Sequence, residues 1–466
     1  MSVRYDHTKK VVPKNLIISF ALITTCFALW GAANNMTDLL VTVFKQVKGM
    51  SSLQASIIQT VFYGAYFLAP IPAALIIKKC GYKTGGIVGL SLYALGAFLC
   101  YPASQADSFS FFLTAFYVFA FGCAMIETSV APFILSMGPK ETATQRINLA
   151  QSFNPVGSLG GICLGKFVIL KHLTSSEEMA ILEGAEKAAA QSHDLGLVVN
   201  AYAIVGVIAL IVAAAIAFKK FPVIAEEQNH SSVKASIGRL VKNKNYMFSV
   251  MAQFFYVAAQ IGIWTFIVPY VMASGAGYDN SNDAANFYIY SLFAFVFMRF
   301  VYTGLMKFID PARLLSVAMV LSCLFTLLTI HSSGMLGVIS VVMISATMSL
   351  GFPTIYGLGL MGLEGDDKKI GGSGIIMAIV GGAILVPLQG FMNDGKLPTG
   401  DFILDRVLNT LFSPIKSVFD AIGFEYSPAN SYYMPLFCFV IIAIYGFMAH
   451  KKEADVGIIH ETNQAK

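Results

Sequence analysis

Two carboxylates stand inside long apolar runs, where charge is costly. Asp38 lies in LWGAANNMTDLL and Glu127 in FGCAMIETSVAPF, and neither run supplies a Lys or Arg to pair with it. A charge at the centre of a bilayer costs about 2.5 kcal/mol or more, so an ionisable group held there needs a reason. Stripped of water, a carboxyl loses its preference for the ionised form and exchanges its proton more readily under physiological conditions. Coupling of a transported solute to a proton gradient requires such a group. A carboxylate also coordinates sodium, and the residues alone leave the two ions open. Asn34 precedes Asp38 by one helical turn on the same face, with Asn35 beside it.

Neutral polar residues gather in the neighbouring runs. Gln59 and Tyr63 are four apart; Asn148, Gln151 and Asn154 recur at three-residue intervals; Gln253, Tyr256, Gln260 and Trp264 form one helical stripe. Amides donate and accept hydrogen bonds, and aromatic faces stack on the apolar face of a sugar ring, so the set suits a small polyhydroxylated neutral solute. Gln59, Tyr63, Gln151 and Asn154, with Asn34, Asn35 and the stripe, are therefore the candidate substrate contacts. Arg299, in MRFVYTG, is expected to pair at a cytoplasmic helix end and lock one conformation, a gating role. Lys166 lies near the outer end of its run, where its long stem reaches the interface.

The elements that position these groups follow from composition. Of 466 residues, 56% are hydrophobic and 12% charged, against about 25% charged in soluble domains. Apolar runs long enough to cross a bilayer core of roughly 30 Å lie near 15–43, 51–77, 84–104, 108–137, 144–170, 196–217, 246–274, 283–306, 312–331, 334–363, 370–393 and 431–450. The pattern predicts an all-α integral membrane fold of twelve spans. It comprises a six-helix half over 1–217, a cytoplasmic linker over 218–245 and a second half over 246–466. If the N-terminus is cytoplasmic, only Lys45, Lys48, Lys171, Lys187, Lys396, Arg406 and Lys416 fall outside. Apart from the intramembrane Lys166 and Arg299, every other Lys and Arg falls inside. This bias places both termini in the cytoplasm and answers the net charge of +5 without nucleic acid.

Finer patterns concern packing. Gly157, Gly161 and Gly165 in the fifth run, and Gly374, Ala378 and Gly382 in the eleventh, form small-residue faces that admit close helix contact. Breaks are expected at Pro132 and Pro353 in the fourth and tenth runs. The outside loop 394–430 carries an amphipathic stretch, FILDRVLNTLFSPIKSVFDAIGF, expected to form helices on the membrane surface. Seven cysteines form no CxxC pair and read as small buried hydrophobes. The first run is too long for a signal peptide and is expected to remain as a helix.

The stretches LWGAANNMTDLL, IIQTVFYGAYFLAPIPA, MIETSVAPF, RINLAQSFN, AQFFYVAAQIGIW, FPTIYGLG and GGSGIIMAIVGGAILVP occur in this order along nearly the whole chain. Together they resemble the fucose–proton symporter family of the major facilitator superfamily. The resemblance implies alternating access between two halves, with Asp38 and Glu127 handling protons and Asn35, Gln151 and Asn154 in the polar pocket. It implies a cation-coupled sugar importer, L-fucose–proton symport first, with sodium-coupled glucose or galactose transport as the alternative and mannose a further candidate sugar. Three stretches differ from the family pattern: Ala131 stands where Asn precedes the proline, Gly351 and Phe352 stand where Gln-Tyr precedes Pro353, and the loop IIKKCGYKTG lacks the Asp-Arg pair usual in the superfamily's signature.

The expected partners are a sugar and the lipid bilayer of a bacterial inner membrane, with a monomer as the working unit and no cofactor or bound metal beyond the coupling ion. A sugar-sensing receptor without transport is a remote alternative, and its cytoplasmic segments are too short for a signalling domain. An enzyme is not expected, since there is no HExxH, no CxxC and no nucleophile with a base and orienter.

Overall fold

The computed structural model describes residues 9–48, 61–62, 64–106, 108–164, 172, 174, 176–221, 232–396 and 403–464. Its ordered elements are helices: α1 (Ile17–Lys48), α2 (Pro70–Gln105), α3 (Phe109–Ser136), α4 (Ala143–Gln151), α5 (Phe153–Leu164) and α6 (Gly184–Phe218), then α7 (Val233–Lys242) in the linker. The other helices of comparable length are α8 (Lys244–Ala273), α9 (Ser281–Leu305), α10 (Pro311–His331), α11 (Gly334–Met348), α12 (Gly351–Gly359), α13 (Gly365–Met377), α14 (Gly381–Asp394), α15 (Ile403–Ala421) and α16 (Tyr433–Gln464), with shorter helical turns such as Ser176–Ile181 between the helices. The starts follow local chemistry. The Ser108 hydroxyl caps α3 by accepting from Phe111 N, Asp310 caps α10 with Pro311 in its first turn, and Ser232 caps α7.

Among the described residues, 10 helices are long and apolar enough to cross a membrane. The expected second and third spans share α2, whose path turns at Gly81, a residue at φ 81° that only glycine adopts cheaply. The expected fifth span is divided at Ser152 between α4 and α5. Pro132 does not break its span, because α3 continues through it to Ser136. A proline costs one backbone hydrogen bond, and the packed surroundings here hold the helix together past it. The tenth span does break. Its first part ends at Met348, Ser349 and Leu350 form a turn, and Pro353 falls in the first turn of α12, where its missing N–H is harmless.

The contacts gather the chain into two compact units. One comprises Met1–Met247 with Tyr356–Ala378. Within it α1 and α5 touch backbone to backbone: a Cβ on Gly157 would strike the Ala28 carbonyl, and one on Gly31 the Asn154 carbonyl. The close helix contact that the glycine spacing of the fifth span suggested is thus made with the first; Gly165 lies outside the described residues. Gly89, Gly96 and Gly122 do the same between α2 and α3, with Gly96 against Phe119 and Gly122 against Tyr93.

The other unit comprises Phe248–Ile355 with Ile379–Lys466. Gly381 meets the Phe254 carbonyl and Gly382 meets Ile261, seating α14 on α8. The amphipathic stretch expected outside the membrane forms one helix among the described residues, α15, with Pro414 inside it. Phe412 and Phe419 of α15 stack on Phe391 of α14 at 6.1 and 6.2 Å between ring centroids, and Tyr426 meets the same ring edge-on at 5.4 Å.

Candidate functional site

In the first unit, the third-span glycines bring α2 against α3 and bury the middle of α3 completely. Every residue from Gly122 to Leu135 is buried, Glu127 among them at 1% exposure. Neither carboxylate oxygen has a hydrogen-bond partner among the described residues. The adjacent Thr128 hydroxyl is committed elsewhere: it donates to the Ala124 carbonyl one turn back, at 2.7 Å. Tyr66, Cys123 and Tyr356 lie close enough to interact electrostatically with the Glu127 carboxyl. Trp30 of α1 donates its indole N–H to the Tyr66 hydroxyl, and the Tyr93 hydroxyl donates to the Leu29 carbonyl at 3.2 Å, so α1 is stitched to this wall.

The remaining predicted residues of this unit are placed as follows. Asn34, Asn35 and Asp38 belong to α1, but their side chains lie outside the described residues, as do Gln59, Tyr63 and Lys166. Gln151 is buried at the end of α4. Asn154, on the face of α5 that meets α1, sends its amide toward the Phe27 carbonyl at 3.4 Å.

In the second unit the stripe on α8 divides into residues of different character. Gln253 is fully buried, and neither of its amide atoms has a partner among the described residues. Gln260 is half-buried. Trp264 donates to the Ser345 hydroxyl at 3.2 Å and meets Phe295 edge-on at 5.0 Å. Tyr256 is buried and donates to the Met348 carbonyl at 2.9 Å. Arg299 is buried too, and its Nε donates to the Ser349 carbonyl at 2.7 Å, while its guanidinium lies 4.5 Å from the centre of the Phe295 ring. Both residues therefore serve the break between α11 and α12, where carbonyls have lost their helical partners. Gly351 has a direct reason: a Cβ there would run into the Tyr256 ring.

Sequence reasoning missed two features of the first unit. Arg146 reads in the sequence as one more cytoplasmic charge. It is fully buried and donates to the Ile134, Leu135, Pro139 and Val11 carbonyls and the Thr142 hydroxyl, closing the C-terminus of α3. The second is the acidic start of α13, Glu364 at its N-cap and Asp366 and Asp367 in its first turn, whose three acids each take a cation from a different element. Glu364 takes Lys140 at 2.7 Å, Asp366 takes Lys78 at 3.3 Å, and Asp367 takes Arg239 of α7 through two bonds of 2.6 and 2.7 Å. Bonding to Asp367 pushes the Arg239 guanidinium above its ordinary value. The available signal was the EGDD run itself, with three cations expected on the same side of the membrane.

Apolar helices in small-residue contact, with a buried carboxyl and a buried amide that have no hydrogen-bond partner among the described residues, fit a membrane transporter rather than an enzyme. The chain belongs to the Major Facilitator Superfamily, whose profile matches residues 18–387. It is 39% identical over 450 residues to the L-fucose-proton symporter of Haemophilus influenzae, covering 95% of this chain and 99% of the relative. It is 36% identical over 399 residues to the L-fucose-proton symporter of Escherichia coli, covering 84% and 90%. The crystal structure of the E. coli fucose:proton symporter FucP superposes with a TM-score of 0.80 at 32% identity, covering 93% of this chain and 98% of that one.

Proposed function

We propose that the protein is a proton-coupled sugar importer of the bacterial inner membrane that works by alternating access, with L-fucose as the first candidate sugar. The observation that carries the reading is Glu127: a carboxyl buried at the middle of a span with no hydrogen-bond partner among the described residues. A permanent anion without compensation is too costly there, so the group suits a cycle in which it is protonated during part of the turnover. The similarity to two L-fucose-proton symporters supports the sugar and the ion together.

In this reading Asp38 and Glu127 take a proton from outside, and sugar binds among the amides of the first, fifth and seventh spans. Twelve spans in two halves then rock to release both into the cytoplasm, where both termini lie. Gln253, buried with an unengaged amide, is the strongest sugar contact from the second unit. Tyr256 and Arg299 are assigned instead to holding the tenth-span break. The unit works as a monomer without a cofactor.

The test is sugar-dependent alkalinisation of a lightly buffered medium by cells expressing the protein, with L-fucose, galactose, glucose and mannose added in turn without sodium. Alkalinisation by L-fucose that disappears in Asp38→Asn supports the reading. Uptake that occurs only after sodium is added assigns the carboxylates to a sodium site and overturns proton coupling.

A further inference from the structure

Helix α7 is ten residues long and carries no Asp or Glu. Asn243 alone separates it from α8, a membrane span that starts at Lys244. One residue reaches at most about 3.6 Å, so the C-terminal end of α7 adjoins the start of that span. The Lys and Arg bias places that start on the cytoplasmic side.

The two edges of α7 differ. One is engaged with protein: Ser236 and Leu240 are buried, Leu240 lies beside Gly371 of α13, and Arg239 holds Asp367 through its two bonds. This grip fixes the helix and leaves the flank about 100° round from Ser236 and Leu240 exposed. On that edge Ile237 and Val241, one turn apart, are 48% and 58% exposed. Membrane-span residues such as Leu95 and Ile208 show similar exposure, at 49% and 42%, for want of a protein neighbour. Exposed Lys234, Lys242 and Lys244 flank the apolar pair.

The geometry points to α7 as a docking surface for anionic phospholipid headgroups of the inner leaflet. Ile237 and Val241 enter the interface, and Lys234, Lys242 and Lys244 meet the phosphates. Cations alone would suit any phosphate, but the apolar pair between them requires the acyl boundary beneath a headgroup. Each lysine near an anionic leaflet contributes on the order of 1 kcal/mol, and three together set a clear preference over neutral lipid. The inference is independent of which sugar or ion the protein carries.

Amide hydrogen exchange on the full-length protein in lipid nanodiscs tests it. Residues 233–242 are expected to exchange at least several-fold more slowly in discs containing phosphatidylglycerol than in phosphatidylcholine discs. The difference is expected to vanish in the triple variant Lys234→Gln, Lys242→Gln, Lys244→Gln, with exchange in α10 unchanged as the control for folding. Addition of glycerol phosphate to phosphatidylcholine discs is expected to have no effect. Equal exchange in the two lipids, slowing that survives the triple variant, or slowing by glycerol phosphate alone would each overturn the proposal.

Discussion

The Nε of Arg299 donates to the carbonyl of Ser349 at 2.7 Å, at the one turn that divides the tenth span. Tyr256 completes the arrangement by donating to the preceding carbonyl, that of Met348. A span can break inside a membrane only where its freed backbone groups find partners, and these two side chains provide them. Tyr256→Phe is expected to lower stability by about 1 kcal/mol and to change the sugar KM by less than about twofold, because its hydroxyl is engaged with protein. Thermal unfolding in detergent and initial uptake rates measure the two effects. A large rise in KM with unchanged stability would return Tyr256 to the sugar site.

The contact of α1 with α5 offers a paired test. Gly157→Ala puts a methyl against the Ala28 carbonyl and is expected to cost about 1–3 kcal/mol, as overpacking does. Gly160, three residues on, has nothing within 4 Å of its absent Cβ, so Gly160→Ala is expected to be neutral or slightly stabilising. Unfolding temperatures of the two purified variants decide it. Equal effects would mean that the backbone approach of the two helices is looser than described.

Much of the fold was legible because the bilayer penalises polar backbone and charge so heavily that span positions are written in hydropathy. The family motifs added the superfamily, and the Gly157–Gly161 spacing anticipated close contact with a neighbouring helix, which the structure shows to be α1. The site was legible only in part. Burial cost singled out Glu127, but whether an amide or phenol faces substrate or backbone depends on which carbonyls a distant break leaves open. Tyr256 and Arg299, expected as a sugar contact and a gate, also bond the carbonyls of such a break, which their sequence positions did not reveal. Likewise Pro132 resembles Pro353 in sequence, yet only the latter accompanies a break, since tight packing along α2 keeps α3 helical. The charge pairs were hidden for another reason: a count of Lys and Arg sets orientation but says nothing about which acid each one meets.

The acidic start of α13 makes such a statement testable. Arg239→Asp and Asp367→Arg are each expected to reduce uptake several-fold, because each places like charges where a two-bond pair stood. The double exchange, with both substitutions, is expected to recover most of the loss. Uptake by the two single variants and the double at equal expression provides the reading, and losses that merely add would show that the pair has no role. The Lys140–Glu364 pair is more exposed, at 62% and 47%, so Glu364→Gln is expected to change little.

The decisive substitution is at Glu127. Its carboxyl is 1% exposed and has no hydrogen-bond partner among the described residues, so Gln replaces it without breaking a bond described here. The amide also has nearly the shape of the protonated acid. Glu127→Gln is therefore expected to fold normally, to bind sugar and to exchange it across the membrane when sugar is present on both sides. It cannot release a proton, so accumulation against a sugar gradient is expected to fall to background. Radiolabelled counterflow and net uptake, measured on the same vesicles with and without an imposed pH gradient, separate the two behaviours. Retained accumulation driven by the pH gradient would remove Glu127 from the coupling path and leave Asp38 to carry it alone, whereas loss of counterflow as well would make Glu127 a sugar contact.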